Sequence, residues 1–391
     1  MRPLIDLPVF MVNFCPFLTF IFSPIKSTVM KKVFALLLLS VFAFSQAQTQ
    51  NVTLPPASKK ALVAEWIGLT KVAIDYHRPG VKGREGKIFG EGGIVPYDGG
   101  NPMPWRAGAD ENTTIYFGDN VTVQGMPLPA GKYGFHIIPA EQEWTLIFSK
   151  NNHSWGSYFY NAAEDALRVS VKPETCDHTE WLTYEFVNQT DNSADIRLRW
   201  ERKQVTFKVE TDVHAVTLAS IERELQGTNG FSPQTYVSAI QYCLGAGKDF
   251  EKALQWSDRS IDPNYAGQKT FQTLSTRSQV LDKLGRAAEA KAAIDEALPL
   301  GTMTELHFYG RSLIQAGKPD EAVKIFKLNR ERNPNDNFTT IVGLARGYMA
   351  IENFKEAANY FRQAAKTAPA GQATFYTDLA KQCDEKVGKK G

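Results

Sequence analysis

Cysteine is scarce, with four in 391 residues, which excludes a disulfide scaffold. No C-x-x-C pair occurs, so a thiol oxidoreductase finds no support. Charge of one sign is missing as well. Lys plus Arg total 44 against 42 Asp plus Glu, a net of +2. That excludes a strongly basic nucleic-acid binder and a strongly acidic disordered chain. Phosphate-cradling and nucleophile motifs are lacking. No G-x-x-x-x-G-K-[ST] is present, and Gly83-Arg84-Glu85-Gly86 is too short and opens no helix pattern. No G-x-S-x-G occurs, and Gly156-Ser157 lacks the strand–turn–helix context of a nucleophile elbow. Tight metal spacings such as H-x-H or H-E-x-x-H are absent too.

What is present is ordinary globular composition, 43% hydrophobic and 22% charged, and the length suggests two domains. Met30-Lys31-Lys32, the apolar run Val33 to Phe44 and Ser45-Gln46-Ala47 follow the plan of a secretory signal peptide cleaved after Ala47. The run is too short for a membrane span, which needs ~20 apolar residues. Residues 1–29 read as an extension from an upstream start codon, with Met30 the true start. Residues 1–47 carry +3 of the formal charge, leaving −1 on residues 48–391. Export is therefore expected, to the periplasm or beyond, with no stable membrane insertion after cleavage. Cys176, Cys243 and Cys383 remain, and the last two read as small buried hydrophobes of helices.

The rest divides near residue 213. From about 60 to 210 apolar residues alternate in short runs: Leu182, Tyr184, Phe186; Ile196, Leu198, Trp200; Val205, Phe207, Val209. Turn signals such as Pro129-Ala130-Gly131 and Asp191-Asn192 separate such runs. The pattern predicts an antiparallel β-sandwich-like domain over 48–213. From about 216 the period becomes helical and repeats. Gly317-Lys318-Pro319-Asp320-Glu321-Ala322, then Phe326 and Pro334, returns 35 residues later as Glu352-Asn353-Phe354-Lys355-Glu356-Ala357, Phe361 and Pro369. Ala253 and Ala290 hold the same place in two weaker copies. This resembles the tetratricopeptide repeat, two helices per unit of about 34 residues, over 214–371. A capping helix and basic tail follow over 372–391.

The β half carries further segments in order: Tyr76-His77-Arg78-Pro79, Val95-Pro96-Tyr97, Trp105-Arg106-Ala107-Gly108-Ala109, Leu128 to Gly134, Trp144 to Phe148, Trp155-Gly156-Ser157-Tyr158 and Trp200-Glu201. Together they resemble the secreted bacterial domain of unknown function 2911, common in Bacteroidetes-type genomes. The resemblance implies a β architecture and assigns no catalytic residues. The stretch Asp98 to Pro104 is longer and richer in turn residues than the family spacing.

The densest polar stretch, 76–112, holds eight glycines from Gly80 to Gly100. Loops on a rigid sheet are where binding groups tend to sit. Arg78, Arg84 and Arg106 are candidates to converge on a carboxylate or phosphate. Trp105, Trp155 and Tyr158 are candidates to stack on a sugar face, with Asn112 beside them. The competing structural reading has Arg106 fixing its own loop through Asp110 or Glu111, and the tryptophans filling the sandwich. A metal reading uses His77, His136 and Glu111. Glu164 and Asp165 beside Arg168 read as a local ion-pair cluster. In the repeats, Gln234, Gln241, Arg277 and Arg311 are candidates to line a groove.

The resulting expectation is an exported envelope protein without a cofactor and without nucleic-acid partners. Its repeats would bind a protein or peptide, and its β domain a small molecule, glycan or partner. The alternative is a metal-dependent, hydrolase-like enzyme with its site in the β domain.

Overall fold

The structure is a computed structural model that describes residues 55–97 and 103–390. The expected signal peptide and the extension expected before it lie outside the described residues, as does most of the turn-rich stretch after Tyr97.

Among the described residues, ten strands form two antiparallel sheets. The first contains β1 (Lys59–Ile67), β2 (Thr70–Arg78), β3 (Thr114–Phe117), β6 (Gly131–Ile138), β7 (Trp144–Ser149) and β8 (Asp165–Val171), in the order β1-β2-β3-β6-β7-β8. The second contains β4 (Val121–Val123), β5 (Met126–Leu128), β9 (Glu174–Val187) and β10 (Ser193–Glu210), in the order β5-β4-β10-β9. Alternation makes each sheet one-sided. Val72, Ile74 and Tyr76 of β2, Phe135 of β6 and Phe148 of β7 share one core with Tyr184, Leu198 and Phe207 of the second sheet.

The sequence pattern divides β10 into two strands, 195–200 and 205–209. The structure has one strand of 18 residues. Its pairing with β9 shifts register between Arg199 and Glu201 and again before Lys203. Glu201 has φ +53°. These bulges switch the inward set from even to odd numbers, which the sequence shows as an interruption.

Helices follow after two residues: α1 (Val213–Leu225), α2 (Pro233–Ala246), α3 (Phe250–Ile261), α4 (Phe271–Lys283), α5 (Ala287–Ala297), α6 (Met303–Gln315), α7 (Pro319–Arg332), α8 (Thr339–Ala350), α9 (Phe354–Thr367) and α10 (Ala373–Lys390). The pairs α2–α3, α4–α5, α6–α7 and α8–α9 form a helical repeat array, with α10 packed on α9. Ala253, Ala290, Ala322 and Ala357 are buried on the second helix of each pair. There a methyl allows close crossing. The turn within each pair places at least one residue at positive φ: Gly247 and Asp249 in the first, then Gly285, Gly317 and Glu352. Caps set the helix starts. Thr302 and Glu305 form a capping box on α6, and Asp336 accepts the Thr340 N–H at 2.6 Å.

Among the described residues the cysteines Cys176, Cys243 and Cys383 are free, the last two buried. Burial pushes the Cys243 thiol up to about 11, so it remains protonated. No helix of the described residues is long and apolar enough to cross a membrane.

Candidate functional site

The loop between β2 and β3 closes one end of the sandwich. Trp105 pairs with Ile137 in an isolated antiparallel bridge and donates its indole N–H to Gly108 O at 3.1 Å. Its ring stacks on Trp200 at 6.0 Å and meets Phe89 edge-on at 5.8 Å, with Trp144 on the other side of Phe89. Trp105 is only 5% exposed. The expectation that it offers a face to a ligand is corrected: it is part of the aromatic core.

The three arginines do not converge. Arg78 donates Nε–H to Leu182 O at 2.8 Å and Nη2–H to Thr183 Oγ1 at 2.6 Å, tying β2 to β9. Arg84 donates to Val81 O and Gly80 O at 2.9 and 2.6 Å, inside its own turn. Arg106 donates to Asp110 O at 2.6 Å. It does fix its loop, but through a backbone oxygen rather than a carboxylate.

Arg106, Asn112, Trp155 and Tyr158 do come together. They lie where the 106–112 segment meets the loop between β7 and β8. The Arg106 guanidinium lies over the Tyr158 ring at 5.3 Å. Gly156, at φ +57°, gives it room: a Cβ there would stand 2.4 Å from the guanidinium carbon. Asn112 donates to Asn151 O at 3.4 Å, and Asn152 to Lys132 O at 2.9 Å. Beneath the loop, His136 Nδ1 shares a 2.8 Å hydrogen bond with Ser157 Oγ, both side chains being buried. Tyr160 closes over His136 edge-on and donates to Asp165 Oδ2 at 2.8 Å, where Arg168 also donates. The expected Asp165–Arg168 pair is present.

Burial lowers His136 to about 4, an effect the Asp165 carboxylate opposes and the Arg106 cation reinforces. The imidazole is therefore neutral at pH 7. Burial and the Asp165 bond push Tyr160 up to about 12. These buried groups stiffen the loop from below. Above them, Trp155, Tyr158 and Phe159 are 55%, 63% and 69% exposed. Phe159 escaped the sequence reading, although its place next to Tyr158 in a loop was the available signal. Three exposed rings on a pinned loop are unusual for a soluble surface. Their flat faces can stack on apolar faces, and the Arg106 edge can add hydrogen bonds.

Of the proposed metal ligands, His136 stands apart from His77 and Glu111. The register Asp75–Thr114–Gly134 puts His77 and His136 in one row on the outer face, flanking Asn112. Two strand spacings separate them, roughly 10 Å. His77 Nδ1 lies 3.2 Å from Asp110 Oδ2, and its Nε2 3.4 Å from Glu111 Oε2. Glu111 also holds Lys60 at 2.8 Å. That bond lowers the Glu111 carboxyl and raises the Lys60 ammonium. Among the described residues, the metal-ligating side chains that cluster are instead Glu85, His178 and Glu180. His77, His136 and Glu111 form no such cluster, because His136 lies two strands from the other two and bonds Ser157.

On the array, Gln234 pairs with Gln272, and Arg277 is taken by Ser257 and Asp258. Arg311 lies over the exposed Phe308 ring at 5.8 Å.

No curated protein matches the chain. Among solved structures, MamA MSR-1 C2 is similar over 40% of this chain and 98% of that chain, at 16% identity and a TM-score of 0.21. Residues 58–209, the two sheets just described, match the family model described as "Protein of unknown function (DUF2911)".

Proposed function

We propose that this chain is an exported, non-enzymatic binding protein of the cell envelope. Its β domain holds a glycan, and its tetratricopeptide-type repeats hold a protein or peptide. The observation that carries the reading is the set of exposed rings of Trp155, Tyr158 and Phe159 on a loop braced by Arg106, Asn112 and His136. Rigid aromatic faces lose little entropy on binding, and sugars present flat C–H faces to them. The repeats offer Phe308 and Arg311 as contacts for a partner segment.

The test is a thermal-shift panel of glycans and cell-wall fragments on the full chain. A ligand at 100 times its dissociation constant stabilises by ~2.7 kcal/mol. A shift abolished by Trp155→Ala and Tyr158→Ala supports the reading. A shift that survives both, or silence across the panel, removes the glycan assignment.

A further inference from the structure

A second place in the β domain gathers donors of a different chemistry. On β9, His178 and Glu180 lie two residues apart, on the stretch where the pairing with β10 shifts register. The turn after β2 crosses to this strand. Gly80 bridges to Trp181, Val81 N–H donates to Glu180 O at 2.8 Å, and Leu182 N–H donates to Pro79 O at 3.1 Å. Glu85 is thereby brought opposite His178, with Glu85 Oε1 4.0 Å from His178 Nε2. One ligand atom each from Glu85, His178 and Glu180 lies within 4.8 Å of the others.

The donors are held from outside the cluster. Lys82 sits at φ +52° and aims its N–H at Glu180 Oε1, 2.9 Å away. This orients one carboxylate oxygen and leaves the other available, as partners behind metal ligands do. Arg84 ties the turn through Gly80 and Val81 oxygens, and Gly86 N–H donates to Glu201 Oε1. Glu85 therefore stands between two anchored neighbours. Around a tetrahedral zinc ion with bonds of ~2.0–2.2 Å, donors stand about 3.3–3.6 Å apart. A small rotation of the half-exposed Glu85 closes the remaining gap.

We propose that Glu85, His178 and Glu180 bind one divalent ion of the zinc class, with water completing the coordination. The imidazole favours zinc over calcium or magnesium, which take oxygen donors. Two carboxylates balance the charge of the ion. The site lies apart from the aromatic loop, so it stands or falls independently of glycan binding.

The test is calorimetric titration of the chelator-stripped full chain with zinc chloride, with calcium and magnesium chloride as comparisons. The expected result is one zinc ion per chain and little response to calcium or magnesium. Glu85→Gln, which leaves β9 untouched, and His178→Ala are each expected to weaken binding by at least about tenfold, with unchanged circular dichroism. His153→Ala, remote from the cluster, is expected to leave it intact. Absence of zinc binding overturns the proposal, as does unchanged zinc affinity in both Glu85→Gln and His178→Ala. Equal affinity for calcium overturns the zinc class.

Discussion

Phe326 of α7 is completely buried, and its ring is met by three glycines on two other helices. A Cβ built at Gly310 of α6 would stand 2.5 Å from a ring carbon; at Gly343 and Gly347 of α8 the distances are 2.6 and 2.9 Å. The ring is thus a wedge whose thickness the glycines accommodate. Alanine is the better helix former by about 1 kcal/mol, so propensity alone favours Gly310→Ala. Overpacking costs about 1–3 kcal/mol, so after the propensity gain a net loss of about 0–2 kcal/mol is expected. Phe326→Ala should cost about 3–5 kcal/mol through the cavity it leaves. In a Phe326→Leu background the ring is gone, and Gly310→Ala should become neutral or stabilising, a coupling of about 1 kcal/mol or more. Urea denaturation followed by circular dichroism at 222 nm reads all of these. If Gly310→Ala stabilises equally in both backgrounds, the wedge argument is refuted.

Other expectations concern the β domain and the caps. His136 is about 4 when folded against 6.5 for a free imidazole. Its contribution is complete above pH 6.5 and is lost as pH falls toward 4, by about 2 kcal/mol between pH 7 and 5. Urea midpoints at the two pH values should diverge less in His136→Gln. Trp105→Ala should cost about 3–5 kcal/mol as a core deletion, whereas Trp155→Ala should stay within about 0.5 kcal/mol. Equal thermal losses for the two would contradict their placement. Thr302→Ala removes the hydroxyl that accepts the Glu305 N–H in the α6 capping box, while the Thr302 N–H still donates to the Glu305 carboxylate, and should cost about 1 kcal/mol, measured by the same denaturation.

The legible parts of this fold are those with a local signature. Alternation revealed the strands β9 and β10, and the repeated offset from Ala322 to Phe326 and from Ala357 to Phe361 revealed the paired helices. The Asp165–Arg168 pair, three residues apart, was also within reach of sequence. What failed was set by tertiary pairing. Arg78 and Arg84 are satisfied by carbonyl oxygens, which leave no trace in residue spacing. For Trp105 the core-filling reading prevails over the ligand-stacking one, because its backbone bridges to β6 at Ile137, which a polar, glycine-rich loop does not signal in sequence. Glu85 and His178 are separated by more than 90 positions, and only the crossing of the turn onto β9 unites them. The row of His77 and His136 on one sheet face was real, but Asp110 holds the first ring and Ser157, from the loop between β7 and β8, holds the second.

Only Thr211 and Asp212 separate β10 from α1. Thr211 donates to Asn120 O at 3.2 Å and meets Thr70, while Asp212 caps α1 by accepting the Ala215 N–H at 3.0 Å. Val213 packs against the sandwich core. Such a junction has no slack, unlike a Gly/Ser tether whose span varies with every fluctuation. Two ligands held by such a chain would be presented at a set separation and angle. Avidity toward a regular surface then depends on whether its spacing matches that fixed arm, and a mismatch cannot be absorbed by stretching.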